Sequence, residues 1–122
     1  MLFSIKPEII KEFFVKVKKD NNNNIDIILS SYDGLSMIST IEESPMDEAI
    51  SVMSSELFLS FDRFKKDIQM NTMSYMTIEG DNRKISLKNI ENIGILSFIT
   101  DRTINICNIL KHINDIQNYI MK

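Results

Sequence analysis

The sequence predicts an α+β fold in which one sheet is covered by helices on both of its faces, and three observations carry that expectation. Two pairs of strand-like segments are each joined by a glycine turn, Asp33-Gly34 in the first and Gly80-Asp81-Asn82 in the second. Three stretches with helical periodicity lie at the beginning, middle and end of the chain. One segment, IGILSFIT at 93–100, is apolar on both faces, as only a strand in the middle of a doubly covered sheet should be.

The first element is PEIIKEFFVKVKK, Pro7 to Lys19, where Ile9, Ile10, Phe13, Phe14 and Val17 share a face. Pro7 suits an opening turn, and the closing lysines complement the helix dipole. The run DNNNN, 20–24, ends it, because these side chains compete for backbone hydrogen bonds and favour turns. Strands follow at Ile25 to Ser30 and Leu35 to Ile41, joined by a tight turn in which Gly34 takes a positive φ at no cost.

A second helix is expected after EESPMDE, with Ser44 as cap, Pro45 at the first position and Asp47 and Glu48 in the first turn. Met46, Ile50, Met53, Leu57, Phe61 and Phe64 make one stripe along it, expected to face the core until the pattern stops near Lys66. Next come a strand from Asn71 to Glu79 and a returning strand RKISLKN. After the strand at 93–100, a last helix is expected with Asp101 or Thr103 as cap. Its stripe is Ile106, Ile109, Leu110, Ile113, Ile116 and Ile120.

The chain of 122 residues is 43% hydrophobic and 25% charged, which points to one globular domain over 1–122 with a single core. A chain of this size buries roughly two thirds of its unfolded surface and needs neither disulfide nor metal. Cys107 has no partner in the sequence, so a reducing, cytoplasmic setting is expected. The start of the chain lacks the pattern of a signal peptide, and no stretch reaches the roughly 18 apolar residues of a membrane helix. A net charge of −3 with interspersed lysines and acids leaves no basic footprint for nucleic acid.

The residue patterns of common active sites are missing as well. The three glycines, Gly34, Gly80 and Gly94, lie far apart, so neither a P-loop nor a dinucleotide fingerprint can form. Cys107 and His112 do not share a helix face closely, and they are read as a flank cysteine and a surface histidine. Glu42-Glu43 precedes a helix and is better explained as a dipole partner than as an acid and base pair. No catalytic, metal or cofactor-binding set can be assembled, so a non-enzymatic role is expected.

The order of elements resembles the roadblock / dynein light chain family, in its small GTPase-associated prokaryotic type, over nearly the whole chain from Pro7. The resemblance is carried by the hairpin ILSSYDGLSMIST, the helix DEAISVMSSELFLSF, the strand-turn-strand MTIEGDNRKISLKN and the ending ILSFITDRTINICNILKHINDI, whose Thr103-Ile104-Asn105-Ile106 is similar to an Asn-initiated final helix. It implies a five-stranded antiparallel sheet of order 2-1-5-4-3, with the middle helix on one face and the two terminal helices on the other. It also implies a dimer joined through the third strands and middle helices, and a small Ras-like GTPase as partner. The family brings no catalytic residues. The composition departs from it in having one alanine, Ala49, and isoleucine throughout.

On that reading, Met73, Tyr75 and Thr77 of the third strand are expected at a dimer interface, since an edge strand apolar on both faces invites pairing. Ser51, Ser54 and Phe58 are expected beside them on a helix surface turned away from the core. Val52, Leu59 and Arg63, on a face otherwise holding Glu48, Glu56 and Lys66, are expected to meet the GTPase. Two other readings stand beside this homodimeric regulator or scaffold. One is a structural subunit paired with a different roadblock-like chain in a larger assembly. The other, of a different class, is a PAS-like sensor domain holding a small molecule between sheet and helix, which the inward stripes, almost wholly Ile, Phe, Leu and Met, disfavour.

Overall fold

The computed structural model describes residues 6–42 and 45–120, apart from the side chains at 106, 109, 110, 113, 119 and 120. Its elements are α1 (Pro7–Asp20), β1 (Ile25–Ser30), β2 (Ser36–Ser39), α2 (Met46–Phe64), β3 (Met76–Glu79), β4 (Arg83–Ile90), β5 (Gly94–Asp101) and α3 (Ile106–Ile120). The strands form one sheet in the order β2-β1-β5-β4-β3, every neighbouring pair antiparallel. This is the 2-1-5-4-3 sheet that the resemblance implies.

β5 lies at the centre, and all of it from Gly94 to Thr100 is buried, as a strand apolar on both faces requires. On one side Ile25, Ile27 and Leu29 of β1 join Leu96 and Phe98 of β5 and Ile90 of β4. These pack against Ile10, Phe14 and Val17 of α1 and Ile116 of α3, which makes that side the main core. On the other side Ile28 and Ile99 meet Ile50 of α2, flanked by Ile41 and Ile85. α2 rests on β1, β2 and β5.

Local chemistry sets most boundaries. α1 starts with Pro7 and ends where Asn22 and Asn23 take φ of 57° and 61°, the left-handed region that asparagine tolerates. The first hairpin is looser than a two-residue Asp-Gly turn. Ser31 N–H donates to Leu35 O at 2.8 Å across three residues, and only Gly34, at φ 88°, has positive φ there. β2 is shorter than the expected Leu35 to Ile41, with a register shift between Leu29 and Ser30.

β3 is also shorter than expected. It starts at Met76, because the preceding residues turn after α2, with Met70 N–H on Lys65 O at 2.7 Å and Gln69 at φ 61°. The final helix is capped neither by Asp101 nor by Thr103: Asn105 Oδ1 accepts the Cys107 N–H at 2.8 Å. Asp101 instead accepts from the backbone and hydroxyl of Thr103, closing the turn before the helix and holding its own carboxyl below the usual range. The expected cap at Ser44, with Glu43 beside it, lies outside the described residues, as do the α3 stripe side chains other than Ile116.

Candidate protein-interaction surface

α2 is set on the sheet through serines. Its buried residues are Ile50, Ser51, Ser54 and Ser55, with Ser51 and Ser54 0% exposed. Ser30 Oγ on β1 donates to Ser51 Oγ at 3.0 Å, Ser54 Oγ and Ser97 Oγ of β5 lie 2.9 Å apart, and Ser55 Oγ donates to the Tyr32 carbonyl. The first two pairs each satisfy two hydroxyls and the third a hydroxyl and a carbonyl, groups that burial would otherwise penalise, and the small side chains let helix and sheet approach closely.

This corrects two expectations. The stripe from Met46 to Phe64 does not face the core: only Ile50 of it is buried, Met53, Leu57 and Phe61 are half-buried, and Met46 and Phe64 are exposed. Relative to that expectation the helix is rotated by roughly a quarter turn, at 100° per residue. Ser51 and Ser54 therefore do not lie on an outer surface as dimer contacts, since each is consumed inside its own chain. Phe58 follows them inward, half-buried with its ring centroid 5.4 Å from that of Tyr32. Hydrophobic periodicity missed this because it ranks serine as polar, while the sheet supplies matching hydroxyls from Ser30 and Ser97.

The rotation leaves apolar groups on the flank and outside of α2. Val52 is 48% exposed, Leu59 51% and Phe64 52%. The apolar surface continues through Ile68, Met70, Tyr75 and Ile78, all exposed. Phe61, Ile68, Met70 and Met73 to Met76 line a cleft of about 490 Å³ between the end of α2 and β3. By register, Met76 faces Leu87 and Ile78 faces Ile85, so both lie on the α2 side of the sheet. β3 ends the strand order and offers an unpaired edge there.

Of the other expected contacts, Thr77 is in β3, where its hydroxyl lies 3.1 Å from that of Ser86 on the opposite face. Met73 and Tyr75 precede the strand. Val52, Leu59 and Arg63 are all exposed on α2, in company with exposed Glu48, Glu56 and Lys66. The Arg63 guanidinium sits 5.3 Å above the Phe64 ring.

Cys107 is exposed, and no group of three or more metal-ligating side chains occurs among the described residues. His112 differs from its reading as a surface residue. It is half-buried, with Nε2 3.2 Å from Asn21 Nδ2, and burial lowers its pKa from the ordinary 6.5. No helix among the described residues is long and apolar enough to cross a membrane.

No protein-family model matches the sequence, and no curated protein sequence does. Solved structures do match. Myxococcus xanthus MglB superposes with a TM-score of 0.77 at 14% identity, over 89% of this chain and 89% of that one. A Roadblock/LC7 domain from Streptomyces avermitilis gives 0.70 at 14% identity, over 80% and 85%. MglB in a tetrameric arrangement gives 0.73 at 10% identity, over 91% and 87%. At such identities the likeness concerns the backbone, and what it establishes is the fold: the chain has the roadblock architecture.

Proposed function

We propose that this protein is a non-enzymatic regulator or scaffold that pairs with a second roadblock-like chain, most simply its own copy, and offers the paired α2 helices to a small Ras-like GTPase. The observation that carries the reading is the rotated packing of α2. A helix that turns serines to its own sheet and keeps Leu57, Phe61, Phe64, Val52 and Leu59 on its flank and outside retains an apolar surface its own core does not use. That surface runs on to Ile78 and the open edge of β3.

Two copies meeting through their β3 edges would complete both hydrogen-bond ladders and cover the flank with its symmetry mate. Val52, Leu59 and Arg63 would stay outside that contact, doubled into a strip with charged rims. The roadblock fold and the tetrameric arrangement of MglB support an assembling role. The alternative, a subunit pairing with a different roadblock-like chain, uses the same surface.

Mass measurement in solution tests the pairing. The purified protein is expected to run at twice its 14.2 kDa chain mass. The double change Leu57→Glu with Phe61→Glu is expected to give a folded monomer. A protein already monomeric at tens of micromolar would favour the heterologous pairing, and a dimer unaffected by both changes would remove α2 from the contact.

A further inference from the structure

The end of α1 and the middle of α3 meet at one side-chain hydrogen bond whose polarity is fixed. Asn21 Nδ2 donates to Val17 O at 2.8 Å, which orients the amide with its NH2 group toward α3. The same Nδ2 lies 3.2 Å from His112 Nε2. An amide NH2 cannot accept, so Nε2 must be the acceptor and the ring must be neutral, with its proton on Nδ1. Protonation would place an N–H against an N–H.

We propose that His112 is a proton-sensitive clasp between α3 and the end of α1: neutral, it accepts the Asn21 amide and holds the helices together, and protonated it lets α3 loosen from the sheet. The ring sits in a cleft of about 430 Å³ whose walls include Phe13, Lys16, Val17 and Asp20 from α1 and Asp115 and Asn118 from α3. Asp115 and Asp20 favour the protonated ring, while Lys111 opposes it. Lys16 stands on the same cleft, and Lys84 and Lys88 of β4 occupy alternate positions on the side of the sheet where Ile90 meets the terminal helices.

Burial outweighs these charges and lowers the pKa from 6.5. A lowered histidine value means that the unfolded or detached state binds the proton more readily. The clasp is therefore fully closed above about 6.5, and its contribution is lost as the pH falls through the lowered value. Because Ile116 of α3 is wholly buried in the main core, loosening α3 opens that core on one side.

Hydrogen exchange on the full chain, corrected for intrinsic rates, tests the proposal. Between pH 7.5 and 5.5 the α3 amides are expected to lose protection by roughly threefold or more while those of β5 hold. His112→Gln, which can still accept from Asn21 but takes no proton, is expected to abolish that response. A flat wild-type profile, or a parallel fall in the variant, would overturn the clasp. Independently of any variant, nitrogen NMR at pH 7.5 should show the Nδ1–H tautomer, and finding the proton on Nε2 would overturn it as well.

Discussion

Ser30 on β1 and Ser51 on α2 share a 3.0 Å hydrogen bond with neither side chain accessible to solvent. A buried hydroxyl pair of this kind is worth little net, but each half is expensive alone. Ser51→Ala is expected to destabilise by about 1 to 3 kcal/mol, because Ser30 keeps a buried, unpaired hydroxyl. The double change Ser30→Ala with Ser51→Ala should recover much of that loss. A denaturant double-mutant cycle checks it, and strict additivity would mean that the two hydroxyls do not interact in solution.

A close approach of backbones governs the same end of β1, where Ser30 pairs with Ile95 next to Gly94 of β5. A Cβ built on Gly94 at the start of β5 would lie 2.1 Å from the carbonyl oxygen of Ser30. That oxygen belongs to β1 itself, so relief requires moving a strand rather than a side chain. Gly94→Ala is expected to cost roughly 3 kcal/mol or more, at the upper end of overpacking effects, read as a lowered urea midpoint. A loss under about 1 kcal/mol would show that β1 and β5 part more easily than their burial implies.

Tyr32 ties the β1–β2 loop to the end of β4, its hydroxyl donating to Asn89 Oδ1 at 2.5 Å with Ile90 O at 3.1 Å. Burial raises its pKa above the usual 10.0; the Asn92 N–H opposes this in part and the Glu91 carboxylate adds to it. With a raised native value, its stabilisation is complete below about 10 and is lost as the pH rises through that value. Tyr32→Phe is expected to lower stability by about 1 kcal/mol at neutral pH. The gap between wild type and variant should close above pH 10, and a constant gap would show that the hydroxyl does not titrate with unfolding.

The fold was legible in the sequence where burial follows hydrophobicity, and illegible where shape or partnership decides. Ile27, Leu29, Leu96 and Phe98 are core residues whatever surrounds them, so strands and layers followed from pattern. Serine carries no such signal. Ser51 and Ser54 are interior because Ser30 and Ser97 stand opposite, a fact of register between segments over 20 residues apart. Phe64 fails in the opposite sense, since its apolar ring lies beyond the reach of the sheet. His112 reads as a surface residue in the sequence because its partner Asn21 is 91 residues away.

Under the proposed function, the outward face of α2 is where a partner GTPase would dock. Val52 and Leu59 are two turns apart and about half exposed, and Arg63 continues the line one turn on. They are remote from the serine seam that seats the helix, so charge introduced at Leu59 and reversed at Arg63 should leave the fold intact; exposed positions of this kind usually shift stability by under about 0.5 kcal/mol. Arg63 also covers the Phe64 ring, and reversing its charge removes that contact and alters the rim of the strip. Leu59→Asp with Arg63→Glu is therefore expected to preserve melting and chain pairing while weakening binding to a small Ras-like GTPase from the same cell by tenfold or more, about 1.4 kcal/mol. Titration calorimetry with candidate GTPases in both nucleotide states reads this. Unchanged affinity with the fold retained would move the docking surface off α2, to the sheet ends or to the face that α1 and α3 cover.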